Sequence, residues 1–400
     1  MDLRSNYPFW LVKNGLLYAY PMLENELTCD VAVLGGGITG ALIAHALVEA
    51  GFATVVLDKR EIGWGSTSAS TALLQYEIDT PLQDLINIVG EDHAVRSYKA
   101  CRTAIDTLEQ LAQSLDAPCG FERKKSLYLA SRAHDVKALR QEFELRQKFG
   151  FKLDWLDEDA IVTLFGFHRP AALFSYDAAQ MDVYRFTHGL LQKAKRTGLQ
   201  IYDRTEVVKI KQADNGVELF TNRQCCVRAR KIVFATGYET QQYLKQQPAK
   251  LISTYALVSE PLEIPQQWYE QCLIWESARP YFYLRTTPDG RVMMGGEDED
   301  FRDPDRRDRL LKRKTERLQK KFHELFPQTP LEVAFAWAGT FGETKDGLAY
   351  IGATAEFPNA YFALGYGGNG ITFSAVAADI IRDGLLGRHN PNAELFRFDR

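Results

Sequence analysis

The sequence predicts an α/β protein in which a discontinuous Rossmann-like nucleotide-binding domain is interrupted by a second, α+β domain with a largely antiparallel sheet. Three observations carry this reading. A buried strand enters Gly35-x-Gly37-x-x-Gly40 and leaves through an apolar-periodic helix. Buried strands return after Asp182 and run into Ala235-Thr236-Gly237. A second strand, glycine loop and helix start stand at Leu364 to Leu385. Between these blocks the chain changes to amphipathic helices and then to alternating strands.

The first block has the most explicit chemistry. Asp30 to Leu34 is a short apolar run that reads as a buried parallel strand, and the helix after it reaches about Gly51. Phe52 to Leu57 is a second buried strand, ending at the acidic Asp58 at the distance of about 20 residues that a dinucleotide-binding βαβ unit requires. Gly35 allows the tight turn, Gly37 lets the backbone approach a pyrophosphate, and Gly40 lets helix and strand pack closely. The helix start at Ile38 and Thr39 offers unpaired N–H groups and a positive dipole end to phosphate. Asp58 can accept hydrogen bonds from a ribose diol, and its charge repels a 2′-phosphate.

Composition sets the bounds. Four hundred residues suit two domains, and 46% hydrophobic with 12% aromatic residues is enough for a large core. A net charge of −4 gives no reason to expect a nucleic-acid partner. The six cysteines form neither a CxxC pair nor a metal-spaced His/Cys cluster, so no metal site is expected. Buried free thiols fit a reducing compartment, and the expectation is cytoplasmic. The start MDLRSNYPFW lacks the pattern of a signal peptide. The apolar tract Val31 to Leu57 carries glycines with Thr39, His45 and Glu49 and belongs to the nucleotide fold, so no membrane span is expected.

In chain order, the aromatic arm with Tyr7, Phe9, Trp10 and Tyr20 is expected to pack on its own domain. The loop Gly63 to Thr71, with Gly65, Ser66, Thr67, Ser68 and Ser70, can approach a ligand and bond its phosphate or ring atoms. Asp84 to Leu115 and His134 to Phe149 read as amphipathic helices, with a short strand at Ser126 to Ala130. Tyr184 to Thr197 is a helix ended by Gly198. Strands follow at Thr205–Lys211, Val217–Phe220, Cys226–Arg228 and Lys231–Ala235, with a hairpin turn at Asp214-Asn215-Gly216. Leu251 to Glu260, Tyr281 to Arg285 and Arg291 to Gly295 are strands of the second sheet. Period two puts Arg279, Tyr281, Tyr283 and Arg285 on one face, which looks either into a ligand pocket or into solvent. Glu297 to Lys321 reads as a solvated amphipathic helix. The second glycine loop and its helix suggest that one long cofactor is held by both ends of the chain.

These motifs together resemble the D-amino-acid-oxidase-like family of FAD-dependent oxidoreductases, in the branch of glycine oxidase, sarcosine oxidase and γ-glutamylputrescine oxidase. The residues are DVAVLGGGITG (30–40), VVLDKREIGWGSTSAS (55–70), KIVFATGY (231–238), DGRVMMGGED (289–298), TKDGLAYIG (344–352) and GYGGNGIT (365–372), in the family's order. The resemblance implies an FAD domain at 1–80, 176–245 and 336–400 and a substrate domain at 81–175 and 246–335. It implies oxidation of a C–N bond of an amine or amino acid by hydride transfer to flavin N5, the imine then hydrolysing, with oxygen or another acceptor taking the electrons. Gly35, Gly37 and Gly40 would cradle the pyrophosphate, Asp58 the ribose, and Lys59 would lie beside the adenine. Ser66 to Ser70 would line pyrophosphate and flavin, and Val207 or Val208 would meet the adenine. Ala235, Thr236, Gly237 and Gly342 would add contacts, and Gly367, Gly368, Asn369, Gly370, Ile371 and Thr372 would close over the flavin pyrimidine end.

The chain departs from the family pattern in two places. It has no His in the 63–78 loop, and its last cysteine, Cys272, precedes the C-terminal block, so FAD is expected to be non-covalent. Glycine-oxidase-like members place an arginine before the TKDG-like segment to clamp a substrate carboxylate, whereas this chain reads Thr340-Phe341-Gly342-Glu343. Arg285 is the stand-in. Tyr281, Tyr283, Arg285 and Glu343 are thus the candidate substrate-facing residues, and the missing arginine favours an amine without an adjacent carboxylate, such as a substituted polyamine. The alternatives are an FAD-dependent tRNA-modifying relative and a non-catalytic flavin-binding subunit.

Overall fold

The computed structural model describes all residues except positions 1, 3, 6 and 214. Among the described residues two sheets form the frame, one of eight strands and one of nine. The first has a parallel centre in the order Ala360–Leu364, Cys226–Phe234, Leu27–Leu34, Thr54–Leu57 and Gln200–Tyr202. Thr54–Leu57 is buried along its whole length, as is the end of its neighbour from Val31 to Leu34, which is why both read as unbroken apolar runs. The helix Ile38–Glu49 lies against the helices Val183–Arg196 and Gly370–Leu385, so it too is buried nearly all round.

The second sheet runs Val333–Thr344, Ala249–Ser259, Val292–Glu299, Phe282–Thr286, Leu273–Glu276, Glu122–Leu129, Ala171–Gln180 and Leu73–Gln75, with Leu153–Asp157 also on Ala171–Gln180. Every pairing in it is antiparallel except that of Leu273–Glu276 with Glu122–Leu129. The helix Pro304–Leu325 covers one face of this sheet with Leu318, Phe322 and Leu325.

The elements differ from expectation where local chemistry overrides periodicity. The helix expected over 84–115 is two, Leu82–Val89 and Glu91–Gln113, separated at Gly90, whose φ of +89° breaks the helical path. The charged helix starts at Pro304, not at Glu297, because Asp303 caps it by accepting from the Arg306 N–H and Pro304 fits the first turn. Residues 297–299 instead extend a strand. The two strands expected at 226–228 and 231–235 are one, Cys226–Phe234, since Arg228 and Arg230 project outward without breaking it. The loop after Asp58 contains a short helix, Ser66–Ala69. The expected turn at Asp214 falls on a position outside the described residues.

Sheet membership also crosses the expected domain boundaries. Leu73–Gln75, Ala171–Gln180 and the whole of Val333–Thr344 belong to the second sheet. The chain therefore passes between the two sheets over residues 58–72, 181–199, 235–248 and 345–349, and the first and third of these crossings line the cavity described below. No helix among the described residues is long and apolar enough to cross a membrane. All six cysteines are free and buried. The N-terminal arm buries Phe9, Trp10 and Tyr20 on its own chain as expected, with the Trp10 Nε1–H donating to the Ser70 carbonyl at 2.7 Å, whereas Tyr7 is exposed.

Candidate active site

One elongated cavity runs between the sheets, from Val207 at one end to Tyr281 and Tyr283 at the other. Its first half is made mostly of backbone. Gly35 has a φ of +103°, and a Cβ there would stand 2.4 Å from the Ala235 carbonyl oxygen. A Cβ on Gly40 would stand 1.8 Å from the Gly35 oxygen, so the helix reaches its depth on the turn only without one. Helical hydrogen bonding begins at Ala41 N–H to Gly37 O, and Gly37 has no side chain to cap the turn before it. The Ile38 N–H is met by Thr67 Oγ1 at 2.9 Å, which ties the Ser66–Ala69 helix to the glycine turn.

A second helix start opens into the same cavity. Hydrogen bonding in Gly370–Leu385 begins at Phe373 N–H to Asn369 O, and the Asn369 side chain does not cap it. That amide instead donates to the carbonyls of Gln75 and Glu77, at 3.3 and 2.7 Å, and fixes the segment opposite. Two positive helix ends thus face one space.

Asp58 lines this half and already accepts two N–H groups, Gly36 at 2.7 Å and Arg60 at 2.8 Å. Burial pushes its carboxyl up to about 6 against those bonds. Lys59 lines the cavity as expected, but its ammonium is paired with Glu239 at 3.0 Å. Glu239 also holds Arg60 at 3.1 Å. It is buried, yet its ion pairs outweigh burial and bring its carboxyl down to about 2. Sequence reasoning missed Glu239 because it sits in a turn of no distinctive pattern two residues beyond Gly237.

The other half is built of side chains. Tyr281 and Tyr283 line it with Trp275, Tyr366, Asp79 and Asp298. The Tyr281 hydroxyl donates to the Asp79 carbonyl at 3.1 Å, and Arg279 lies flat on the Tyr281 ring, 3.3 Å from its centre. The Asp79 carboxylate accepts the Gly368 N–H at 2.6 Å. A Cβ on Gly367 would come within 2.2 Å of it, so the glycine loop is shaped to this carboxylate. Burial raises the carboxyls of Asp79, Asp298 and Glu343, and the negative charge of Asp79 raises the other two further; Asp298 reaches about 6. Glu77 also lines the cavity, with Oε1 3.4 Å from Arg146 Nη1. Asp79, Asp298 and Glu77 were not anticipated: Asp79 and Glu77 lie in a connecting segment that carries no motif, and Asp298, although it closes the run 289–298, has nothing in that run that marks it as facing a ligand.

The remaining expected residues divide cleanly. Thr39, Gly65, Ser66, Thr67, Ser70, Val207, Ala235, Thr236, Gly237 and the run Gly367 to Ile371 line the cavity. Gly40, Ser68, Gly342 and Thr372 do not; they support it. Ser68 Oγ donates to Gly65 O, Gly342 O accepts from Gly367 N–H, and Thr372 Oγ1 donates to Asn369 O. Val208 is exposed, so of the pair it is Val207 that reaches the cavity. Arg285 is a correction. It is fully buried below the cavity, against the Trp10 ring, donating to the carbonyls of Ala72 and Met181 at 3.1 and 3.2 Å. The strand continues inward past Tyr283, so the shared face leaves the cavity before it reaches Arg285. Glu343 stands outside the lining, in strand register with Lys250.

The arrangement suits an extended dinucleotide: anion-seeking helix ends and glycines for a pyrophosphate, a carboxylate and strand backbone for a nucleoside. It leaves buried polar atoms without protein partners among the described residues, including Thr340 Oγ1 and Asp298 Oδ1.

A family profile described as FAD dependent oxidoreductase (DAO) matches residues 30–383. The chain is 25% identical over 383 residues to γ-glutamylputrescine oxidoreductase of Escherichia coli, covering 92% of this chain and 86% of that one. It is 25% identical over 385 residues to glycine oxidase of Bacillus subtilis, covering 93% and 97%. The structure of L-proline dehydrogenase from P. horikoshii superposes with a TM-score of 0.78 at 20% identity, over 94% and 99% of the two chains.

Proposed function

The chain belongs to the DAO family of FAD-dependent oxidoreductases, and from that premise we propose that it oxidises a C–N bond of an amine that carries no carboxylate beside the nitrogen. FAD fits the residues present. The turn Gly35–Gly40 and the helix start at Ile38 would hold the pyrophosphate, with Asp58 and Val207 on the adenosine side and Gly367–Ile371 at the far end. The lining has no cysteine or histidine among the described residues, which supports non-covalent binding. Bound FAD supplies the two-electron acceptor that side chains lack.

What the protein's own residues add is orientation and exclusion of water. Tyr281, Tyr283, Trp275, Tyr366 and Phe341 wall the end of the cavity beyond the second helix start. The observation that carries the proposal is the charge of that end. Carboxylates line it and no arginine does among the described residues, since Arg285 is committed below and Arg279 lies exposed at the rim on Tyr281. A substrate α-carboxylate would meet repulsion where a bidentate clamp is needed. An ammonium would be attracted. Of the relatives, the one named for γ-glutamylputrescine fits this end better than those named for glycine.

Anaerobic mixing with a panel of alkylamines, N-substituted diamines, glycine, sarcosine and D-amino acids tests this directly. The flavin absorbance should bleach fastest with amines that lack the α-carboxylate. Rapid bleaching by small α-amino acids alone would sink the proposal.

A further inference from the structure

The acid end of the cavity holds more negative charge than one reacting nitrogen needs. Asp298 sits at the end of the strand Val292–Glu299, with its Oδ1 buried and lacking a partner among the described residues. Its sequence neighbour Glu297 shows what the chain does for a carboxylate of structural use. Glu297 is ion-paired with Lys314, Arg317 and Lys321, at 3.3, 3.3 and 3.6 Å. Asp298, one residue on, faces the cavity, and none of the ion pairs among the described residues reaches it, Asp79 or Glu343. The one guanidinium at hand, Arg279, is spread on the Tyr281 ring and donates to the Asp79 carbonyl, not to a carboxylate. Buried carboxylates without a cation are costly, and a ligand that brings one removes the cost. Aromatic faces beside them add to the attraction for an alkylammonium.

We propose that Asp298 and Asp79, walled by Tyr281, Tyr283 and Trp275, form a subsite for a second, non-reacting cationic nitrogen, so that the preferred substrate is a diamine or polyamine. This rests on the reading of the site as an amine-oxidising one. The orphaned Oδ1 of Asp298 is the acceptor for that nitrogen's N–H, while Asp79, anchored on the Gly368 N–H, supplies the second charge.

The test is calorimetric titration of the dithionite-reduced, FAD-loaded protein, which binds an amine without oxidising it. The probes are 1,4-diaminobutane and n-butylamine. The diamine should bind at least tenfold more tightly at pH 8. Asp298→Asn should cut that ratio at least fivefold, and Glu343→Gln, at the rim, about twofold. A check without any variant is pH. The ratio should fall between pH 8 and pH 5 as Asp298 takes up a proton, with Asp79 and Glu343, both also raised by burial, and Arg279, Tyr281 and Tyr283 facing the same group. Equal affinity for the two probes, or a ratio that neither Asp298→Asn nor acid alters, would overturn the subsite. A flavin that no amine bleaches in the oxidised protein overturns the proposed function instead, and the ratio measured on reduced protein still decides the subsite.

Discussion

The two halves of the cavity are built from different materials. The half around Gly35–Gly40 and Gly367–Ile371 works through backbone, with glycines where a Cβ would collide and helix ends where N–H groups converge. The half around Tyr281, Asp79 and Asp298 works through side chains delivered by separate strands and by the segment after Gln75. The contrast teaches where each half is fragile. Backbone sites fail by steric intrusion and fail completely, while side-chain sites fail in proportion to the group removed.

Gly40→Ala is the harshest way to probe this. Its Cβ would fall 1.8 Å from the Gly35 oxygen, so the turn must move; overpacking costs about 1–3 kcal/mol or more. The purified variant should retain no FAD, read from its absorbance, and melt several degrees lower. Full yellow colour would show that the turn is not a shaped cradle. Next is Arg285→Met, which leaves the Ala72 and Met181 carbonyls unpaired at about 1–3 kcal/mol of stability. Melting temperature should fall while the amine KM stays put. A raised KM in a protein of normal stability would return Arg285 to the substrate.

At the side-chain end, acidity should act on affinity. Asp298 titrates near 6, so attraction for a cationic amine should fade as pH drops through that value. The stability sign is opposite. A raised folded-state value means the proton favours the fold, so this carboxyl contributes stability below its usual 3.8 and loses it as pH rises through about 6. KM and melting temperature measured over the same pH series should therefore both rise toward acid, as far as this group governs them. Tyr281→Phe removes one hydrogen bond, worth about 0.5–1.5 kcal/mol, and should change amine kcat/KM about two- to tenfold with FAD affinity untouched. The smallest effect belongs to Glu239→Gln, in the half of the cavity that Lys59 and Asp58 line. Lys59 and Arg60 are about 30% exposed, so the pairs are worth about 0.2–1 kcal/mol. Since the Glu239 value is lowered, its contribution is present above 4.5 and disappears as pH falls toward 2, and acid melting curves of variant and parent should converge there.

The same contrast governs what the sequence makes legible. Gly35, Gly37 and Gly40 with Asp58 declare themselves because a backbone site imposes spacing on neighbouring residues, and the helix Gly370–Leu385 is read to its last residue. Tyr281 and Tyr283 are legible as a strand face, yet where that face leaves the cavity is set by the inward run of the strand, which hides the fate of Arg285. Asp79 is invisible in one dimension. Its role comes from the Gly367–Gly368 loop, which is almost three hundred residues away and shaped to it. The crossings between sheets are hidden for the same reason, since Leu73–Gln75 is too short to reveal a partner as distant as Ala178–Gln180.

The arm that precedes the first strand bears on how the protein is made. Its Trp10 holds the Ser70 carbonyl, Arg4 the Trp64 carbonyl, and Ser5 exchanges hydrogen bonds with Ala338, whose neighbour Trp337 holds the carbonyl of Ala69. The loop 63–71 beside the first glycine turn is thus pinned from both sides, by residues that leave the ribosome early and by residues that leave it late. A nascent chain displays the glycine turn long before it can fasten that loop or present the helix start at Gly370. The cavity is therefore complete only once that helix is present, and a chain ended before it would carry the first glycine turn without the second helix start.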